Sequence, residues 1–202
     1  MTVSLEDAKN GLTITDVGHI LLGKVGAPFP DLSKFVFGDK STYGGFDWFG
    51  DTSAENLPEF EADGGDVSPK RTFDRKGMRN VREDKAYTGT FNSVVRNREF
   101  FEKTLGGGEW DDTLKGYITK ANSYALDWAM LIVEEDGSYI SGLGLYNVSL
   151  LSGFATYDLE EFKEVPVEVA VGADAQGRVK IDFEPRLKAK PGTPTPSPRG
   201  NS

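Results

Sequence analysis

The feature that most constrains this chain is a period of two in its apolar residues. From Tyr124 to Ile132 every second position is apolar or aromatic, and Val165 to Val171 repeats the alternation. Successive side chains of a strand point to opposite faces, so such runs predict strands that turn one face to a core. Glycine supplies 24 of the 202 residues, against a usual share of about 7%, which indicates many turns or bulges. The pattern predicts a mainly β chain.

Turn signals divide the pattern into separate strands. A first strand is predicted from Val17 to Val25, and another runs through Phe91 with threonines on its opposite face. Asp136-Gly137 is typical of a type I′ hairpin, in which both central residues need positive φ. The strand that returns from this hairpin is predicted over Tyr139–Tyr157, with a break at Gly153.

A last hairpin is predicted near the end of the alternating region. Its strands would be Val165–Val171 and Val179–Phe183, joined by a turn through Gly172–Gly177. Pro166 lies inside the first of these strands and has no N–H to donate. We therefore expect that strand to lie at a sheet edge or to carry a bulge.

One short α-helix is predicted in the middle of the chain. Asn97 is a natural N-cap, and Glu99 lies in the first turn, where a negative charge is favourable. Phe101 and Leu105 would share one face, and Gly106 could end the helix in the left-handed conformation. A helix with one apolar stripe is expected to cover the open side of a sheet.

Residue types exclude several kinds of chemistry. The chain has no cysteine and one histidine, His19, which rules out disulfides, thiolate nucleophiles and multi-histidine metal sites. His19 lies in a strand-like run and is expected to be a half-buried, hydrogen-bonded side chain. The pairs Asp111-Asp112 and Glu134-Glu135 do not predict a glycosidase site, because strand neighbours point to opposite faces. We predict no enzyme activity and no catalytic, metal-binding or cofactor-binding residues. No apolar run reaches 18 residues, so no membrane insertion is predicted, and no signal peptide is expected from the first 25 residues.

The chain is acidic, and its charged residues are unevenly distributed along the sequence. The net charge is −9, which argues against a protein that grips nucleic acid. Residues 188–202 are rich in proline and contain three bases and no acid, so residues 1–187 carry −12. We predict a β domain over 1–187 and a Pro-rich flexible tail over 188–202.

An acidic block directly precedes a basic block. Residues 51–66 hold six acids and no base, and residues 70–85 hold seven bases against three acids. The blocks are either two solvated strands paired with each other or complementary surfaces that dock between copies. Nearby aromatics at Tyr43, Phe46, Trp48 and Phe49 are either core or interface anchors. The candidate contact residues between rings or subunits are Trp48, Phe49, Asp51, Glu55, Glu59, Glu61, Asp63, Asp66, Lys70, Arg71, Arg75, Lys76, Arg79 and Arg82.

Several motifs, in their order, resemble the major tail tube proteins of long, non-contractile-tailed bacteriophages. They are an aromatic segment followed by Gly-Asp-Thr-Ser, an acidic strand with paired glycines, a basic stretch with Lys-Gly-Met-Arg, a mid-chain helix and a late valine-rich strand. The matching segments are Phe46–Leu57, Phe60–Asp66, Lys76–Arg79, Asn97–Phe101 and Glu164–Val169. The likeness covers about residues 14–185.

The resemblance implies a β-sandwich or β-barrel core flanked by one short helix. It implies hexameric rings that stack into a tube, with an extended loop, here within Gly38–Gly77, reaching the neighbouring ring. The implied partners are other copies, the tape measure, tail terminator and tail-tip proteins, and double-stranded DNA in transit without specific binding. The implied location is the virion tail, with assembly in the host cytoplasm.

Two other functions stay open at this point. A monomeric acidic β-sandwich module could bind a sugar or a protein through the aromatic cluster that includes Trp48. A hydrolase that uses paired carboxylates is the third hypothesis. By contrast, the acidic charge suits a conduit whose wall must not hold a polyanion.

Overall fold

The computed structural model describes residues 15–65, 67–70, 79–82, 85–157 and 162–189, with the backbone alone for 67–70 and 79–82. Its strands are β1 (Val17–Gly23), β2 (Asp47–Trp48), β3 (Glu59–Gly64), β4 (Val67–Lys70), β5 (Arg79–Arg82), β6 (Lys85–Ser93), β7 (Glu109–Asp111), β8 (Gly116–Ile118), β9 (Leu126–Asp136), β10 (Tyr139–Ser152), β11 (Val165–Gly172) and β12 (Lys180–Leu187). Over the same ranges, one α-helix, α1 (Arg98–Thr104), and two 3-10 turns, Leu32–Lys34 and Lys40–Thr42, accompany them.

The main sheet is antiparallel and has the strand order β2-β1-β9-β10-β11-β6-β3. The long strand β10 changes partner along its length, since Tyr139–Leu145 pairs with β12 and Asn147–Ser152 pairs with β11. An irregularity between Leu145 and Val148 in its pairing with β9 marks the change. Strands that bend in this way let one sheet fold over itself. The mainly β fold predicted from the sequence is confirmed, and it is consistent with a β-sandwich.

Apolar side chains fill both sides of the central strands. One cluster joins Ile20 and Met130 to Phe91 and Val167, so it lies between distant strands of the curved sheet. A second cluster on the opposite face of β1 and β9 includes Leu21 and the segment that follows β1. A strand buried on both faces reads as a continuous apolar run, which is why Ala129–Val133 is uniformly buried.

Most strand predictions are confirmed, although one turn differs. β1 falls within the predicted first strand, and β10 ends directly before Gly153. The predicted continuation of that strand to Tyr157 is wrong, because residues 153–157 form no strand. The β9–β10 hairpin forms around Gly137, whose φ is 55°. In the described residues Lys115 is the one residue other than glycine with positive φ, so Ser138 does not have it. The turn is therefore not type I′; positive φ at the first central residue alone is typical of type II′.

The predicted last hairpin is wrong. β11 pairs with β10 and β6, whereas β12 pairs with the other half of β10. β11 is therefore an interior strand, and its register with β6 is regular through Pro166. The Pro166 carbonyl accepts a hydrogen bond from Gly153 N at 2.8 Å. The missing N–H faces the same side, opposite Gly153, and β10 ends directly before that residue.

The helix is confirmed at its start and corrected at its end. The Asn97 side chain accepts a hydrogen bond from Phe100 N at 2.8 Å, as an N-cap does. The buried face carries Phe100 and Thr104, while Leu105 is the C-cap and lies outside the helix. Gly106 is not left-handed, because its backbone exchanges two hydrogen bonds with Tyr124 in an isolated bridge.

Candidate assembly surfaces

One face of the curved sheet is exposed and acidic. Along β3, β6, β11 and the second half of β10, alternate side chains point away from the core. The strand registers place the following residues on this face: Glu59, Glu61, Asp63, Ala86, Thr88, Thr90, Asn92, Pro166, Glu168, Ala170, Asn147, Ser149, Leu151 and, on β9, Asp127. Five of these residues are acids, and within the described residues no lysine or arginine occupies a position on this face.

The acids lie in rows that cross the strands. Glu59 is opposite Thr90, which is opposite Glu168. Glu61 is opposite Thr88 in the next row. A shallow groove of about 460 Å³ runs over these side chains. Because their cross-strand neighbours are threonines rather than bases, the negative charge of the face is not neutralised locally.

Where the structure describes them, the two charge blocks meet in one cross-strand pair, Gly64 with Lys85, and no acid of β3 lies opposite a base. The acidic strand β3 pairs with β6, so Glu61 and Asp63 oppose Thr88 and Ala86. The backbone of β4 pairs with that of β5, which places Lys70 opposite Arg79. In these ladders the acids of β3 therefore have no basic cross-strand partner. Four predicted contact residues lie outside the described residues: Asp66, Arg71, Arg75 and Lys76.

A hydrogen-bonded node holds the segment that enters β3. The Asn56 and Asn92 side-chain amides each donate to Glu164 Oε2 at 2.7 Å. Ser53 Oγ accepts from the backbone N–H groups of Glu55 and Asn56. Hydrogen bonds from Ser53 and Asn92, and a weaker one from Asn56, hold the pKa of Glu164 below its usual range, while burial opposes the shift. The node leaves Asp51 and Glu55 exposed beside it.

The aromatic cluster separates into buried and exposed rings. Tyr43, Phe46 and Phe49 are buried, and Phe49 packs against Phe91 at a centroid distance of 5.4 Å. Phe49 is thus part of the core of a single chain. Trp48 is 37% exposed and meets Phe37 edge-on at 5.4 Å. Of the two aromatic contact residues predicted from the sequence, only Trp48 has surface to offer.

His19 is more deeply buried than the half-buried side chain that the sequence predicts, and it makes no hydrogen bond to its acidic neighbour. Its ring stacks on Phe37 at 3.8 Å, and Nε2 lies 4.0 Å from Glu135 Oε1, a distance that makes an ion pair only when the imidazole is protonated. Burial lowers the pKa of His19, and Lys188 lowers it further; Glu135 and Asp51 oppose the shift.

The two adjacent carboxylate pairs singled out from the sequence do not bring their acids together. Glu135 faces Lys188 at 2.6 Å, whereas Glu134 accepts from Ser141 Oγ at 3.3 Å, so the two acids do not act together. Asp111 instead accepts backbone hydrogen bonds from Thr113 and Leu114 in a turn. Across the described ranges no three His, Cys, Asp or Glu side chains gather as a metal site. Within those ranges, no helix is long and apolar enough to cross a bilayer.

Sequence reasoning missed two members of the acidic face, Glu168 and Asp127. Both lie far from the acidic block in sequence and join it only through strand pairing. The alternation in Val165–Val171 could have shown that Glu168 is exposed, because Glu168 lies between buried valines and points away from the core.

Comparison with known proteins gives a family. A family model described as Phage tail tube protein matches residues 7–175. No curated protein matches the chain.

Proposed function

The chain belongs to the phage tail tube protein family and is a structural subunit of the virion tail, and we propose that it forms hexameric rings that stack around a channel for double-stranded DNA. Self-assembly with other tail proteins follows from the family. The finer elements, namely the sixfold ring, the acidic lumen and the passage of DNA, are our proposal.

The observation that carries the proposal is the acidic face on β3, β6, β11 and β10. Glu59, Glu61 and Glu168 stand in register on it, without a base among the described positions. A wall of this kind repels phosphates and keeps a polyanion mobile, whereas a basic wall would bind it through counterion release. We assign this face to the lumen, which moves the role of Glu59, Glu61 and Asp63 from ring contacts to the channel wall.

The contact between rings is assigned to the far part of the hairpin that contains β4 and β5. β4 and β5 lie between β3 and β6 in the chain, and their ladder keeps the register of the β3–β6 ladder, so we infer that both ladders belong to one hairpin. It includes the end of the predicted loop region, Gly38–Gly77, and the basic block. Its bases would meet exposed acids such as Asp51 and Glu55 on the adjoining ring.

The remaining roles follow from a structural subunit. We propose that it has no enzyme activity, that the tape measure protein occupies the lumen before DNA does, and that terminator and tip proteins close the ends. Assembly would take place in the host cytoplasm. The alternative of a monomeric sugar-binding or protein-binding module loses its main support, because Tyr43, Phe46 and Phe49 are buried.

Electron microscopy of the concentrated protein tests the assembly. We expect rings or tubes of uniform bore. For the lumen, the variant Glu61→Lys/Glu168→Lys should still assemble, but the tubes should retain short double-stranded DNA in a salt-dependent manner. The retained DNA can be measured by co-sedimentation with the tubes.

The matched control is Asp112→Lys/Glu184→Lys, which makes the same charge change at exposed positions off the acidic face. It should leave DNA retention at the level of the unmodified protein. Equal DNA retention by both variants would contradict the assignment of the acidic face to the lumen. A protein that stays monomeric at high concentration, alone and with tail partners, would contradict the whole assembly.

A further inference from the structure

Three side chains form an exposed apolar patch beside the short edge strand β2. Val36 is 54% exposed, Phe37 44% and Trp48 37%. The Phe37 and Trp48 rings meet at 82°, with centroids 5.4 Å apart, and Phe37 is held from behind by its stack on His19. We refer to Val36, Phe37 and Trp48 as the Phe37–Trp48 patch. Its two rings are fixed by packing, so a ligand would meet a preformed surface.

The described chain ends close to this patch. After β12, Lys188 N donates to Ser138 O at 2.9 Å and Ala189 N donates to Ser33 O at 2.7 Å. Ser33 is four residues from Phe37 along the chain. The Lys188 ammonium contacts Glu135 at 2.6 Å, and Glu135 in turn faces His19, on which Phe37 stacks. Two sets of contacts therefore place Lys188 and Ala189, the last described residues, beside segments that contact or adjoin the patch.

The sequence that follows Ala189 has the chemistry that such a patch accepts. Residues 191–198 read Pro-Gly-Thr-Pro-Thr-Pro-Ser-Pro. Proline at this density favours the polyproline II conformation. A segment that already has this conformation loses little conformational entropy on binding, and such segments bind grooves lined by aromatic rings. At about 3.1 Å per residue, Pro194 can reach roughly 15 Å from Ala189, which spans the four residues from Ser33 to Phe37.

Charge favours the same placement. The segment 190–202 carries Lys190 and Arg199 and no acid. Asp39 and Asp51 lie near the patch in sequence, whereas Asp47 is paired with Lys40 and Asp31 with Lys34; the domain as a whole is strongly acidic.

We propose that residues 191–198 dock on the Phe37–Trp48 patch of their own chain as a polyproline II segment. This gives the segment a bound position instead of the free tail that its composition alone predicts, and it assigns Trp48 to an intramolecular contact. The proposal does not rest on the assembly described above. A neighbouring copy seated on Trp48 is the rival occupant.

The chain contains no cysteine, so a nitroxide spin label can be placed at one site through Ser197→Cys. In the full-length, ¹⁵N-labelled protein, kept dilute enough to be monomeric, we expect the label to broaden the Trp48 indole signal and the amide signals of residues 36–38. The indoles of Trp110 and Trp128 serve as internal references, since Trp128 Nε1 is already bonded to Lys103 O at 2.9 Å. Trp48→Phe identifies the Trp48 signal.

Two comparisons decide the result. Pro194→Ser/Pro196→Ser should abolish most of the broadening, whereas Thr193→Ser/Thr195→Ser, which keeps every proline, should not. In a mixture of ¹⁵N protein without the spin label and natural-abundance protein with the spin label, the Trp48 signal should stay sharp. Absence of broadening in the single-chain sample would overturn the docking. Broadening of equal size in the mixture would overturn it too, in favour of a neighbouring copy.

Discussion

His19 shows how a single side chain can make this fold sensitive to acid. Its ring lies between Phe37 and the ion pair of Glu135 with Lys188, and these groups, with Asp51, are the charges that face it. Burial is the largest effect on its pKa and lowers it from 6.5. The folded protein therefore resists protonation of a group that the unfolded chain protonates readily.

The sign of the pH effect follows from this difference. Well above pH 6.5 His19 is neutral in both states and contributes no pH dependence. As the pH falls below 6.5, the unfolded chain binds a proton first, so the free energy of unfolding drops by at most about 1.4 kcal/mol per pH unit until the folded pKa is reached. His19→Phe keeps the stack on Phe37 and should reduce this loss.

The measurement is urea denaturation of both proteins at about pH 7.5 and about pH 5.5, where carboxylates remain mostly ionised. The unmodified protein should lose more stability between these pH values than His19→Phe does. An identical loss in both would show that the pH sensitivity comes from other groups.

At the scale of the element, α1 illustrates how a seven-residue helix is kept in place by its ends. Helices this short are not stable alone. Asn97 caps the start, while Trp128 Nε1 donates to Lys103 O at 2.9 Å and satisfies a carbonyl of the last turn. Phe100, 1% exposed, anchors the middle in the core.

Removing the cap should therefore weaken the whole domain. We expect Asn97→Ala to lower the free energy of unfolding by about 1 kcal/mol, because Phe100 N loses its acceptor. Asn97→Asp keeps an acceptor at the same place and should be close to neutral. Urea midpoints at unchanged slope measure both; equal losses in the two variants would mean that the cap hydrogen bond is not the cause.

At the scale of the whole molecule, β10 connects the parts that the proposed tube would use. Its first half pairs with β12, which leads to the Phe37–Trp48 patch, and its second half carries part of the acidic face. β4 and β5 form a separate two-stranded ladder that lies between β3 and β6 in the chain. The proposed channel wall thus lies on the main sheet, and the proposed ring contact belongs to the chain segment between two strands of that sheet.

If the basic part of that segment joins rings, reversing its charge should block stacking. We expect Arg71→Glu/Arg75→Glu/Arg79→Glu to abolish polymers while the monomer unfolds at an unchanged urea concentration, because acids would then face acids across the contact. Negative-stain microscopy measures the first effect. The matched control is Lys24→Glu/Lys34→Glu/Lys120→Glu at exposed positions, which should still form tubes. Normal tubes from the arginine variant would disprove the charge contact.

Local patterns predicted what depends on local chemistry. The alternation around Met130, the Asp136-Gly137 hairpin and the Asn97 cap each involve residues a few positions apart, and the structure contains all three. They missed features that depend on distant partners. Gly106 forms an isolated β-bridge with Tyr124 instead of ending the helix in the left-handed conformation. Its pairing partner lies 18 residues further along the chain.

The sequence by itself determined that the protein is a mainly β, acidic chain without cysteine and with one capped helix. Periodicity, charge and helix capping depend on residue types and on residues close together in the sequence. Tertiary structure alone decided that β12 leaves β11 to pair with β10, and that Glu168 and Asp127 join the acids of β3 on one face. Strand partners are chosen by which apolar faces close the core together. That choice involves the whole chain at once, and no local pattern contains it.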